Sequence, residues 1–328
     1  MVQESPLERD KIPAGNFPSL SRMYADVRCS QLEGTYPGSE VAPCFATSAL
    51  RVAKGWGAPE EVEWPDDHDH WPPPEPPGID ALAKKHRVLT YERACTIDHC
   101  LTFLAANASI GLTIDIDKSW HNAPDGLVAM PWNHPVSGPS HAVAVIDVDL
   151  EAERLIFVNS WGPNWGDRGV GYLPYEYFEQ RVLDAWAITD LDHRVPLPRY
   201  PAGIVTQWWS VPDPLGGSLY GIEVCDRSAD EMIGWGFAVE RDEFLDVQEL
   251  FVRPAWRNKR YGSTIARGFK KIAQQLRRLP RAWIPHADMD PTNRAALNAV
   301  LRRLSLTLER VPIRSVGAVA TCVFRDTD

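Results

Sequence analysis

A cysteine, a histidine and an asparagine of this 328-residue chain have the types and spacing needed for nucleophilic catalysis. Cys44 follows a proline and precedes apolar residues at helical spacing, which predicts a thiol in the first turn of a helix. His141 opens the alternating segment 141–149, and Asn159 closes the β-rich segment 154–159. The short polar connection between these segments predicts a hairpin that brings His141 opposite Asn159.

The chemistry expected of these groups is attack by a thiolate. A helix N-terminus and an adjacent imidazolium both favour the ionised form of a cysteine. An amide that holds one ring nitrogen of His141 leaves the other free to move a proton. Cys44 would then attack a carbonyl carbon, His141 would protonate the leaving amine, and Asn159 would orient the imidazole. Trp161 is expected to cover the hydrogen bond between His141 and Asn159.

The residues around this trio resemble the papain-like (C1) cysteine peptidases over roughly residues 15–190. The second half carries the specific motifs, SHAVAVIDVD at 140–149 and FVNSWGPNWGDRGVGYLPYEYF at 157–178. The resemblance implies a two-lobed fold, with the cleft between the lobe of the nucleophile and the lobe of the histidine and asparagine. It also implies a thiol protease that hydrolyses peptide or isopeptide bonds of a peptide or protein substrate, without a cofactor.

The chain departs from that family at the oxyanion hole. Gly38 stands six residues before Cys44, where the family has a glutamine, and the nearest upstream glutamine is Gln31. An inserted loop would return Gln31 to the site, and Ser39 or the N–H of Cys44 are other candidate donors. Because losing one donor costs about 10²–10³ in rate, a binding protein without chemistry is an alternative. A transpeptidase would use the same residues and is a further alternative.

Composition narrows the class of protein. A net charge of −10 and a pI of about 5.4 argue against nucleic-acid binding. The chain has no apolar run of the roughly 18 residues that a membrane span requires. The first residues lack the apolar stretch of a secretion signal, so the expected location is the cytoplasm, where the six cysteines would be reduced. Their spacing does not match a metal site, and no metal is expected. The oligomeric state stays open.

A second domain is predicted beyond a segment rich in helix-breaking residues at 193–203. Four strand-like segments follow, and then a turn and an amphipathic helix. The remainder predicts a strand, a helix over 291–304 and a final strand. We therefore expect one domain over residues 1–195 and another over residues 203–328.

The second domain resembles the GNAT family of N-acetyltransferases over roughly residues 203–326. In that family a strand ends in a loop whose backbone N–H groups hold the pyrophosphate of acetyl-CoA at the start of a helix. The positions that the resemblance assigns to the cofactor are Val252, Arg257, Asn258, Lys259, Arg260, Tyr261, Gly262, Ser263 and Asn293. Acetyl-CoA or CoA is the implied cofactor, and Glu249 is a candidate base for acetyl transfer.

This domain also departs from its family. Arg260 replaces the first glycine of the loop, where the backbone approaches phosphate, and two helices that bind the acceptor are reduced to a turn at 212–217. A docking or dimerisation domain is therefore the alternative to an acetyltransferase. The predicted fold class is α+β, a two-lobed papain-like fold followed by a shortened GNAT-like α/β domain with a mixed, mostly antiparallel sheet.

Overall fold

The computed structural model of the chain describes residues 19–38, 43–130, 140–189, 203–284, 306–315 and 318–326. Within these ranges no helix is long and apolar enough to cross a membrane. Asn293 of the predicted cofactor site and Ser39 of the predicted oxyanion hole lie outside the described residues, and so does the helix predicted over 291–304.

The described residues form six α-helices and two β-sheets. The helices are α1 (Arg22–Glu33), α2 (Ala46–Gly55), α3 (Ile79–Ala83), α4 (Ile97–Ala105), α5 (Tyr175–Arg181) and α6 (Tyr261–Leu276). The first sheet consists of β1 (Thr90–Arg93), β2 (Ser109–Asp115), β3 (Ser140–Asp149), β4 (Arg154–Val158), β5 (Val170–Pro174) and β6 (Val182–Thr189). The second consists of β7 (Ile204–Pro212), β8 (Ser218–Asp226), β9 (Glu231–Arg241), β10 (Phe244–Val252), β11 (Leu279–Ile284), β12 (Leu306–Ser315) and β13 (Ala318–Asp326). The predicted α+β class is confirmed.

A small helical lobe comes first in the chain. α1 begins after Ser21, whose hydroxyl accepts the N–H of Tyr24, and it ends at Gly34 in the left-handed conformation that glycine adopts without strain. α1 packs on α2 through a buried cluster that includes Val27 and Val52. This lobe places the start of α2, and with it the predicted nucleophile, beside the end of α1.

The first sheet carries the hairpin that the sequence predicts. Its strand order is β1-β6-β2-β3-β4-β5, and every neighbouring pair is antiparallel. β3 and β4 pair from Asp149 opposite Arg154 to Ala144 opposite Val158, with one bulge in between. The first residues of β3 and the residues that follow β4 therefore meet at one end of the hairpin. A second lobe built on this sheet completes the two-lobed arrangement.

The second sheet has seven strands in the order β12-β13-β11-β10-β9-β8-β7. β10 and β11 are parallel and the other neighbours are antiparallel, as the prediction of a mixed, mostly antiparallel sheet requires. α6 connects the two parallel strands and covers one face of the sheet, where Ile265 and Phe269 are buried with Ile222. The amphipathic helix of the sequence is thus a crossover between parallel neighbours.

The sequence-based prediction omits β12, and the structure corrects it. The segment contains Glu309, Arg310 and Pro312, which do not give the apolar alternation of a strand. Proline has no N–H to donate, so strands tolerate it mainly at a sheet edge. β12 is the outermost strand of its sheet, where an unused hydrogen-bonding position does not interrupt a ladder.

The face of the second sheet away from α6 packs on the first part of the chain. One buried cluster joins the two, and it contains Leu50, Ala53, Val88, Tyr91, Trp186, Leu219, Trp235, Phe237, Val239 and Phe251. The predicted domains, 1–195 and 203–328, therefore share a hydrophobic core across α2, β1 and the second sheet.

Glu92 of β1 is an ionisable group buried at this contact. Arg241 of β9 donates to Glu92 at 2.6 Å and to Asp213 at 2.9 Å. Burial and the neighbouring Asp213 carboxylate raise the pKa of Glu92 well above its ordinary value. The folded protein therefore holds a proton on Glu92 at a pH where the unfolded chain has released it. The stability from this proton is complete below the ordinary pKa of a glutamate and is lost as pH rises through the raised value.

We expect Glu92→Gln to reduce the loss of stability with rising pH, because the amide keeps an acceptor for Arg241 and cannot titrate. The free energy of unfolding of the wild type should fall from pH 5 towards pH 8 more steeply than that of the variant. Urea unfolding followed by tryptophan fluorescence at several pH values measures both slopes. Equal slopes would contradict the assignment of this titration to Glu92.

Candidate active site

His141 and Asn159 meet at the end of the β3–β4 hairpin. His141 Nε2 lies 2.8 Å from Asn159 Oδ1. An amide oxygen only accepts, so Nε2 carries the hydrogen and Nδ1 is left with a lone pair. The backbone N–H of Ser160 donates to the same Oδ1 at 2.8 Å, which holds the amide in this orientation. Asn159 is buried, so water competes little for the bond.

Aromatic rings surround the imidazole. The Trp161 ring lies 4.8 Å from the His141 ring, measured between centroids, and is tilted by 33°. His121 stacks on Trp161 at 4.9 Å. Beneath them Trp120 is fully buried, with its ring edge-on to His141 at 6.2 Å, and its indole N–H donates to Tyr177 at 2.8 Å. The rings limit the imidazole to one orientation and shield it on the Trp161 side.

Cys44 is exposed and lies just before α2. Phe45 is the N-cap and has an extended backbone, so helical geometry begins at Ala46. The prediction of a thiol inside the first turn is therefore wrong in position, because Phe45 keeps the backbone extended for one more residue. Two N–H groups, of Ser48 and Ala49, donate to the Phe45 carbonyl and close the first turn.

The end of α1 supplies two groups near Cys44 that the sequence did not predict. Glu33 Oε1 accepts the backbone N–H of Phe45 at 2.9 Å. Cys29, one turn earlier on the same face of α1, is buried, and a hydrogen bond with the Cys44 thiol, together with burial, raises the pKa of Cys29 well above its ordinary value. Cys44 thus has a second thiol and a carboxylate beside it. The four-residue spacing of Cys29 and Glu33 is the only sequence signal for this pair.

The structure does not bring Gln31 to these groups. Gln31 is two residues from both Cys29 and Glu33, which places it on another face of α1. Its side chain is exposed, and its Oε1 accepts from Arg28 at 2.9 Å. Arg28 in turn pairs with the carboxylate of Glu75. The role of Gln31 as an oxyanion donor stays a prediction, and this arrangement does not support it.

The predicted cofactor loop leads from the end of β10 to the start of α6. Val252 ends the strand and its carbonyl accepts from Arg257 Nε at 3.1 Å. Asn258 and Arg260 have left-handed backbones, with φ of 63° and 69°. Arg260 therefore adopts the conformation for which a glycine is normally selected, and it does so as the N-cap of α6.

The side chains of this loop differ in burial. Those of Arg257, Asn258, Lys259 and Arg260 are exposed, and Lys259 Nζ lies 4.4 Å from the centre of the Trp256 ring. Tyr261 and Gly262 begin the helix and are half-buried. Ser263 is buried, and its hydroxyl has no hydrogen-bond partner in the described part of the chain. The loop thus exposes several cationic side chains to solvent, and the helix that follows it buries one hydroxyl without a hydrogen-bond partner.

Glu249, the predicted base for acetyl transfer, lies elsewhere. It is on the face of β10 that packs against the first part of the chain, and it is buried. Arg51 of α2 donates to it from Nε at 3.0 Å and from Nη2 at 3.2 Å. The Tyr91 hydroxyl donates to it at 3.0 Å. Both carboxylate oxygens are committed to the contact with α2 and β1.

Comparison with known proteins gives partial matches. No protein-family profile matches the chain. A stretch of 68 residues is 32% identical to an uncharacterized peptidase C1-like protein of Acanthamoeba polyphaga mimivirus, over 20% of this chain and 22% of that protein. The matched part thus spans about a fifth of the curated relative.

Solved structures of two kinds are similar to portions of the chain. Xylellain, a cysteine protease from Xylella fastidiosa, is 24% identical over 56% of this chain and 74% of its own, with a TM-score of 0.47. An N-acetyltransferase from Thermoplasma acidophilum, in complex with coenzyme A, is 12% identical over 31% of this chain and 59% of its own, with a TM-score of 0.25. The chain thus has a mixed α+β fold, with similarity to papain-like cysteine proteases and a weaker, partial similarity to GNAT acetyltransferases.

Proposed function

We propose that this chain is a cysteine peptidase that hydrolyses peptide or isopeptide bonds with Cys44 as the nucleophile. The observation that supports the proposal best is the 2.8 Å bond between His141 Nε2 and Asn159 Oδ1, buried beside Trp161. It leaves His141 Nδ1 as the proton acceptor. The substrate would be a peptide or protein, and a cytoplasmic location would keep Cys44 reduced.

The reaction follows from these atoms. Nδ1 of His141 takes the proton of the Cys44 thiol when the two come within hydrogen-bonding distance, and the thiolate attacks the carbonyl carbon. The tetrahedral intermediate expels the amine, which receives the proton from Nδ1. Water then attacks the thioester while His141 removes its proton. The carbon–sulfur bond breaks, the carboxylic acid departs, and the Cys44 thiolate recovers a proton from His141. Asn159 keeps Nε2–H bonded throughout and stabilises the imidazolium.

Candidate donors for the oxyanion are few among the residues that the structure describes. The backbone N–H of Cys44 is the candidate donor, whereas the N–H of Phe45 already donates to Glu33. Each donor contributes about 10²–10³ in rate, so we expect a slow peptidase. If an amine rather than water resolves the thioester, the same site performs transpeptidation.

A first test is the alkylation of Cys44 by iodoacetamide as a function of pH, read by peptide mass spectrometry. We expect Cys44 to react at pH 6 well ahead of the other cysteines, and His141→Ala to abolish this low-pH reactivity. The buried Cys95 and Cys100 report whether the variant stays folded. Reactivity that rises only above pH 8 and ignores the mutation would overturn the proposal.

A catalytically impaired binding protein is the second candidate, and the carboxylate of Glu33 favours it. A negative charge close to the thiol opposes ionisation of that thiol. We expect Glu33→Gln to increase the alkylation rate of Cys44 at pH 6 by about tenfold, the effect of roughly 1.4 kcal/mol. Gln keeps an acceptor for the Phe45 N–H, so the helix start is retained. An unchanged rate would mean that Glu33 acts only as a cap.

For the second part of the chain we propose binding of CoA or acetyl-CoA without acetyl transfer. The cationic loop before α6 and the unsatisfied Ser263 hydroxyl support an anionic ligand there, whereas the engaged carboxylate of Glu249 does not support a base. Docking on a partner protein is the alternative use.

Calorimetric titration of the full chain with CoA tests this proposal. We expect binding in the micromolar range that weakens with salt, and about tenfold weaker binding for the double variant Arg257→Ala/Lys259→Ala. Lys271→Ala, on the exposed surface of the helix α6 that follows this loop, is the matched control. Absence of heat at millimolar CoA would leave docking as the use of this segment.

A further inference from the structure

The helix that follows Cys44 is held by the second sheet through buried charges. Arg51 and Lys54 of α2 are each 2% exposed. Arg51 makes a two-pronged pair with Glu249 of β10, at 3.0 and 3.2 Å. Lys54 Nζ lies 2.5 Å from Oε1 of Glu223 on β8. Both cations point away from α1 and into the sheet.

The carboxylates are themselves oriented by the sheet and its surroundings. Gln207 of β7 donates to the second oxygen of Glu223 at 2.5 Å. Burial acts to raise the pKa of Glu223, and the Lys54 ammonium with the Gln207 amide brings it below the ordinary value. Glu223 is therefore charged, and Lys54 is its counter-ion. Glu249 is oriented in a similar way, because it accepts a hydrogen bond from the Tyr91 hydroxyl.

The end of α2 is fixed by a third contact from the sheet. Arg253, just after β10, donates from Nη2 to the carbonyl of Gly55 at 2.6 Å, and its guanidinium lies 3.8 Å from the centre of the Trp56 ring. A cation at the last carbonyls is favourable for a helix C-terminus. A Cβ on Gly55 would come 2.7 Å from the Trp235 ring, so the helix lies as close to the sheet as its backbone allows.

These contacts decide the orientation of α2. A helix of 10 residues is too short to be stable by itself, so packing must fix it. α1 packs on one side of it, and the second sheet neutralises its two buried cations on the other. Removing one partner of such a pair leaves an uncompensated buried charge. The direction in which α2 presents Cys44 to the other lobe therefore depends on the second sheet.

We propose that the second sheet is a platform that positions the nucleophile of the first part, with Glu223 and Glu249 as positioning residues that act through Lys54 and Arg51. The carboxylate predicted to serve acetyl transfer serves peptide chemistry instead. The inference rests on Cys44 as the nucleophile, and it predicts that the two parts of the chain work as one unit.

Glu223→Gln and Glu249→Gln in the full chain test the proposal, with Asp230→Asn as the matched control. Asp230 pairs with Lys84 across the same two parts at 3.0 Å, but it is 77% exposed. We expect each glutamine variant to lower the alkylation rate of Cys44 at pH 6 by about tenfold. The rate at pH 9 should change little, because most of an ordinary exposed thiol is then ionised without help from an imidazole. The control should match the wild type at both pH values.

Two readouts separate positioning from simple loss of stability. Buried Cys95 and Cys100 must stay protected in the variants, because a protein that merely unfolds exposes every thiol together. Amide hydrogen exchange should rise at least tenfold in residues 46–55 while β3 and β4 keep their protection. Variants that keep the low-pH reactivity of Cys44, or that leave exchange in 46–55 unchanged, would overturn the proposal.

Failure of the proposed function would look different. The wild type would then lack low-pH reactivity at Cys44 that depends on His141, whereas the exchange of residues 46–55 would still respond to Glu223→Gln. In that case the hydrogen-exchange result would show that the second sheet holds α2, but for binding and not for catalysis. The proposal that the sheet positions a nucleophile would then be overturned.

Discussion

Compensation of buried charge between α2 and the second sheet is the constraint on which the other features depend. Arg51 and Lys54 lie on a helix whose remaining surface is largely apolar or packed on α1, and both are removed from water. Two charges in such a place require partners within hydrogen-bonding distance. Glu249 and Glu223 come from β10 and β8, the two strands that flank β9 in a single sheet, so the helix and the sheet have one relative placement.

The candidate site combines the end of the β3–β4 hairpin with the start of α2, and the placement of α2 on the second sheet affects the second of these. The β3–β4 hairpin brings the imidazole and its amide together through a contact of short sequence separation, and β2 and the Trp120 ring support His141 from outside the hairpin. The thiol is different, because its position depends on α1, through Glu33, and on the sheet that holds α2. One half of the chemistry is therefore local in sequence, and the other half is set by tertiary contacts.

The local half is also the half that the sequence predicts well. Alternation over 141–149 and the polar connection after it lead directly to His141 beside Asn159. Strands β7 to β10 and helix α6 follow from the same periodicities. The predictions fail where a position depends on packing. Pro312 conceals an edge strand, and Phe45 keeps the backbone extended before α2. Arg260 takes a left-handed conformation that nothing in its side chain indicates. Arg51 and Lys54 have the polarity of a solvated helix face, and only the distant carboxylates make them core residues.

The separation in sequence of the two ion pairs has a consequence for the order of events during synthesis. Lys54 and Glu223 are 169 residues apart, and Arg51 and Glu249 are 198 apart. At a ribosomal rate of about 5–20 residues per second, the helix after Cys44 waits roughly ten to forty seconds for its counter-charges. The histidine hairpin is complete during that interval, and the thiol is not yet held. A nascent chain of this protein therefore carries the histidine hairpin before the helix after Cys44 has its counter-charges, and synthesis of the second sheet must precede assembly of the candidate site.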